Sequence, residues 1–125
     1  ASGNGELILL AGGSRYLRGT IAAYLDSLQY QILLCDDENS VLAQWGKRGP
    51  ETRLLIISVT DSPDEFPSHL QAILDDEPRV QVIILCGKDG FAQATNDKRT
   101  IIISEPFCMT DLAGAVSRIL TVPAG

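Results

Sequence analysis

The sequence predicts an open α/β sandwich: five parallel strands in one doubly wound sheet, with helices on both faces. Three observations carry that prediction. Five short apolar runs recur at fairly even intervals, over residues 6–11, 31–35, 53–59, 80–86 and 100–104. Each is rich in Leu, Ile and Val and lacks an alternating polar face, as expected of strands covered on both sides. The segments between them carry apolar residues at helical spacing, and repeated strand–helix alternation closes into one sheet through right-handed crossovers.

Taken in order, residues 1–5 (ASGNG) read as a linker or expression remnant, and the first strand follows. Leu17, Ile21, Leu25 and Leu28 then fall at i, i+4, i+8 and i+11, which lines one face of a first helix. After the second strand, Val41, Leu42 and Trp45 form the inner face of a short second helix, ended by Gly46 and by Gly49-Pro50. Phe66, Leu70, Ile73 and Leu74 serve a third, closed by Pro78. Residues 89–99 contain Gly90, Thr95 and Asn96, with Phe91 as their single large apolar residue, so a short or irregular fourth helix is expected. Leu112, Val116, Ile119 and Leu120 mark the fifth helix, with Thr110 as its N-cap. The domain spans residues 6–121, and 122–125 form a tail.

Composition narrows the function classes. A chain of 125 residues is one domain long enough to bury a core. Its net charge of −6 and pI near 4.6 would repel a phosphate backbone, so nucleic-acid binding is not expected. No apolar run reaches the roughly 18 residues that span a bilayer, and no signal-peptide pattern opens the chain, so no membrane contact is expected. Cys35, Cys86 and Cys108 are odd in number and lack CxxC spacing, which reads as a reduced, cytoplasmic protein with small, mostly buried thiols. His69 has no partner at metal-ligand spacing and reads as a helix-surface residue.

In an open parallel sheet, ligands bind beyond the carboxyl ends of the strands. The positions of interest are therefore Gly12-Gly13-Ser14, Asp36-Asp37-Glu38, residues 58–62, residues 86–88 and Glu105-Pro106-Phe107. AGGSR has the look of a dinucleotide-binding turn, with Asp36 placed where a ribose-binding acid would be. That reading fails at Tyr16 and Arg18, which stand where glycines must let the backbone approach a pyrophosphate. No Tyr-x-x-x-Lys pair is present either.

A second likeness covers almost the whole chain. GELILLAGGSRYLRGTI is similar to the GETILLVEDEPALRELL phrase that opens many receivers. LLIISVTDSP is similar to LVLLDVMMP, VIILCGK to VIMLTAK, and SEPF to VKPF. The chain thus resembles the receiver domains of bacterial two-component response regulators, particularly those attached to hybrid histidine kinases. The resemblance implies a flavodoxin-like sheet of order 2-1-3-4-5. It also implies where the chemistry should lie. The acidic pair that holds Mg²⁺ falls on Gly12 and Gly13, and the phospho-acceptor on Ser58, or on Val59 when counted back from Pro63. The fourth-strand threonine falls on Cys86, and the lysine before Pro-Phe on Glu105.

Every one of these positions has changed chemistry. Glycine offers a divalent cation no side-chain oxygen, and phosphoryl transfer needs that cation together with a positive group. Asp36, Asp37 and Glu38 spell an acidic run after the wrong strand and read as solvated loop charges at a helix start. The expectation is a receiver fold without receiver chemistry: not an enzyme, without cofactor or metal, acting as an interaction or regulatory module in two-component signalling. The partner would be a neighbouring domain, another protein of such a system, or a second copy. Its usable face would comprise residues 89–99, including Phe91, and the outward side of the last helix, including Asp111 and Arg118. The rival expectation is a small-molecule or nucleotide binder using a carboxyl-edge pocket lined by Gly12, Gly13, Ser58 and Cys86.

Overall fold

The computed structural model describes residues 6–12, 15–35, 38–59, 68–77, 80–86, 100–104 and 108–121. Five strands, β1 (Leu7–Gly12), β2 (Gln31–Cys35), β3 (Thr52–Val59), β4 (Gln81–Cys86) and β5 (Thr100–Ser104), form one sheet. Its order is β2-β1-β3-β4-β5 and every pairing is parallel. The helices are α1 (Arg15–Ser27), α2 (Glu38–Arg48), α3 (Ser68–Asp76) and α4 (Met109–Thr121), with a 3-10 turn at Gly49–Glu51. The expected doubly wound sheet is therefore present, in the expected strand order. Residues 89–99, where a weak fourth helix was expected, lie outside the described residues.

The pleat sorts the apolar residues of each strand into two cores, because successive side chains point to opposite faces. Ile8, Leu10, Leu54, Ile56, Ile83 and Leu85 pack beneath Ile21 and Leu25 of α1 and Leu112, Val116 and Leu120 of α4. Leu9, Ala11, Leu55, Ile57, Val82 and Ile84 pack beneath Val41 and Trp45 of α2 and Ile73 and Leu74 of α3. Strands β1, β3 and β4 are covered on both faces, which is why they read as unbroken hydrophobic runs. The edge strand β2 is more open, and Leu34 on it is 51% exposed.

Trp45 fastens the second layer. Its indole Nε1–H donates to Asp76 Oδ2 at 3.1 Å, tying α2 to the end of α3. A Cβ on Gly49 would stand 3.1 Å from the indole ring, so the turn after α2 lies flat against it. Gly46 was expected to end α2, but it lies within the helix, which runs on to Arg48. The actual end is the 3-10 turn with Pro50 in its opening positions.

α1 ends in a Schellman motif built without glycine. The Tyr30 N–H donates to Leu25 O at 3.3 Å and the Gln29 N–H to Asp26 O at 3.0 Å. Gln29 carries the left-handed backbone at φ 77°, a conformation that crowds the Cβ of any L-residue. Gln29→Gly is therefore expected to stabilise the domain by about 1 kcal/mol. Urea unfolding checks it, as a raised midpoint at unchanged m-value.

α4 also starts differently from expectation. The Leu112 N–H donates to Cys108 O at 3.2 Å, the first intrahelical bond, so Cys108 and not Thr110 is the N-cap. Asp111, three residues on, accepts from the Cys108 N–H at 3.5 Å, in the manner of a capping box. The Cys108 thiol is exposed and lies 3.0 Å from Thr110 Oγ1. Of the cysteines expected to be buried, Cys35 is and Cys108 is not; the helix-capping position holds Cys108 at the surface.

Tyr30 sits at the opposite edge of the sheet, 3% exposed. Burial pushes its phenol above the ordinary value of 10.0, Glu6 acts in the same direction, and a hydrogen bond from Ser117 opposes both. The folded state thus holds this proton more tightly than the unfolded chain. The stabilisation is fully present below about pH 10 and is lost as the pH rises through the folded value. Tyr30→Phe should flatten the alkaline fall in stability, as followed by thermal melts from about pH 8 to about pH 11.

Candidate functional site

The sheet places the candidate residues along its carboxyl edge. Gly12 ends β1 and is the Cα partner of Ser58 on β3. Ser58 is in turn opposite Leu85, and Val59 opposite Cys86, which is paired with Ser104. The structure thus brings Gly12, Ser58 and Cys86 to one end of three adjacent strands. Gly13 and Glu105 lie outside the described residues, as do Asp36, Asp37 and Phe91.

Gly12 belongs to the strand rather than to the loop after it. Its backbone stands at φ +83°, which L side chains rarely adopt. A Cβ built there would run into the carbonyl oxygen of Ser58 and lie 3.1 Å from the Ser58 nitrogen and carbonyl carbon. Two strand backbones meet at this point without room for a side chain between them.

Arg18 completes the end of β1. It lies on the first turn of α1, where side chains lean back toward the helix N-terminus. Its guanidinium donates from Nη1 to Gly12 O at 3.2 Å. In the sequence Arg18 stands out as a misfit to a dinucleotide turn and as part of the Leu17-Arg18 match to receivers, not as a contact to β1. The available signal was its position six residues after a strand end, on a helix that must fold back over that strand.

The Mg²⁺ that the receiver resemblance implies does not fit what is described here. A hard cation takes several oxygen ligands, mostly carboxylates. Position 12 has no side chain, and Ser58 brings one neutral hydroxyl. Among the described residues, the Arg18 guanidinium sits on Gly12 O, and its charge is positive. Among the described residues, no three His, Cys, Asp or Glu side chains are gathered as a metal would require.

A shallow groove of about 670 Å³ lies beside this edge rather than in it. Tyr16, Gly19, Ala23 and Tyr24 of α1 line it together with Met109 of α4. Tyr16 is 84% exposed. It was missed because it lies off the Leu17–Ile21–Leu25 stripe that identified the helix. On α4, Asp111 and Arg118 are both exposed, with Gly114 between them on the same side.

No protein-family model matches the sequence, and no curated protein matches it. Solved structures do match. The receiver domain of the hybrid histidine kinase CckA is 18% identical and superposes with a TM-score of 0.75, over 92% of this chain and 99% of that one. The signal receiver domain of an HD domain-containing protein from Pseudomonas fluorescens Pf-5 is 22% identical, with a TM-score of 0.78 over 93% and 94% of the two chains. A response regulator receiver domain protein from Bacillus halodurans C-125 is 17% identical, with a TM-score of 0.74 over 92% and 97%. Together with the strand order and the two helical layers, these likenesses establish that the chain has the fold of response-regulator receiver domains.

Proposed function

We propose that this domain is a receiver-like module that takes no phosphoryl group and works through protein–protein contact in two-component signal transduction, within or beside a histidine kinase or response regulator. The observation that carries the reading is the pairing of Gly12 with Ser58 at the carboxyl edge. A receiver's chemistry calls for an acid and a phospho-acceptor at these places, and the chain has neither at them. Phosphoryl transfer without carboxylate-held metal lacks the charge neutralisation it depends on. The reading carries with it a cytoplasmic location, no cofactor and no enzymatic activity of the domain's own.

The surface offered for contact is the outer side of α4 around Asp111, Gly114 and Arg118. Asp111 and Arg118 are exposed and seven residues apart, which puts them on the same side of the helix. A neighbouring domain, a separate signalling protein or a second copy of the chain would be the partner. The rival, a small-molecule or nucleotide site at the carboxyl edge, gains no support from the groove, which lies against α1 instead.

The test is a Mg²⁺ titration, with and without beryllofluoride, followed by backbone amide NMR. No saturable shift is expected at Gly12 or Ser58, and none along α4. Saturable shifts at Gly12, Ser58, Asp36 or Asp37 would sink the reading and restore a phosphorylation-type switch.

A further inference from the structure

We infer that the end of β1 is a closed backbone joint, which cannot be turned back into a cation site by replacing the missing acid at Gly12. The inference rests on the reading of this fold as a receiver without its chemistry, and concerns why that loss is built into the main chain. A site that had only lost its carboxylate would keep a gap where the side chain had been. Here the gap is filled by main chain. Three features act independently at one residue.

The first is space. A Cβ on Gly12 meets the Ser58 carbonyl oxygen, a backbone atom that β3 holds in its ladder and that cannot swing aside as a side-chain tip would. The second is conformation. At φ +83° any L-residue is strained, whatever room it is given. The third is charge. The Arg18 guanidinium lies 3.2 Å from Gly12 O. A divalent cation brought to that carbonyl would face it at close range. An aspartate at position 12 would have to displace β1 from β3 before its carboxylate could reach a metal.

The joint is tested with the whole chain, in three arms. In the wild-type protein, the amide-to-α couplings of Gly12, with its two α protons assigned stereospecifically, report the sign of its φ; a positive angle is expected and a negative one overturns the inference. In Gly12→Asp, the melting temperature should fall by roughly 10 °C, and millimolar Mg²⁺ should not restore it. A Gly12→Asp protein as stable as wild type, or one stabilised by Mg²⁺, overturns it. If that variant does not fold, the couplings still decide. In the third arm, Arg18→Gln should keep the fold and still show no Mg²⁺-dependent rise in melting temperature, because position 12 remains without a side-chain oxygen; a Mg²⁺-dependent rise overturns it. Failure of the functional reading is distinguishable: there the wild-type chain itself responds to Mg²⁺ and beryllofluoride.

Discussion

Gly12→Ala is expected to lower the stability of the domain by about 3 kcal/mol, from one added methyl group. Two contributions make up that figure. Placing an L-residue in the left-handed region costs about 1–2 kcal/mol. Forcing a methyl into an occupied space adds about 1–3 kcal/mol through backbone displacement. The occupied space here is the Ser58 carbonyl, on the strand next to β1 at the centre of the sheet. Gly19 and Gly114 provide the control within the same molecule. Both lie in helices, and a Cβ on either meets nothing within 4 Å. Alanine at those positions removes the backbone entropy penalty of a helical glycine and should stabilise by about 1 kcal/mol each. Denaturant unfolding of the three variants therefore separates by sign. A Gly12→Ala protein that ranks with the helical pair would show that β1 and β3 do not meet as described.

That contrast marks what could and could not be read from the sequence. Strands β2 and β5 begin and end where their apolar runs do, and β3 and β4 shift by one residue at their starts. The α1 face followed from the same arithmetic, since Ile21 and Leu25 are buried where their spacing put them, whereas Leu42, expected on the inner face of α2, is 40% exposed. β1 was cut short at Ala11 because glycine is a poor strand residue and a pattern of apolar runs stops before it. Its true end depends on how β1 registers against β3, a non-local pairing that no local pattern encodes.

The same reasoning explains the smaller departures. Cys108 is not a usual capping residue, so Thr110 drew attention instead, although Asp111 three positions on was the better signal. Gln29 gave no hint of a left-handed backbone, because that conformation is imposed by the Leu25 and Asp26 carbonyls it helps to close. For the candidate site, the identity of Gly12 was legible and its necessity was not. The sequence shows a missing carboxylate; the structure shows that nothing larger fits.

Trp45→Ala should be the other large loss, about 3–5 kcal/mol, the range for deleting a buried indole. Against a typical total of 5–15 kcal/mol, that is enough to bring the domain near its unfolding threshold. The side chain is 9% exposed and belongs to the core under α2 and α3. Its removal opens a cavity bounded by the rigid sheet on one side and by the Gly49 turn on the other, so collapse is limited. Trp45→Phe separates packing from hydrogen bonding. It keeps most of the ring but abandons the bond to Asp76 Oδ2, which is worth about 1 kcal/mol at a partly exposed position. A double-mutant cycle with Asp76→Ala should give a coupling of that size. Zero coupling would mean that α2 and α3 are held together by burial alone.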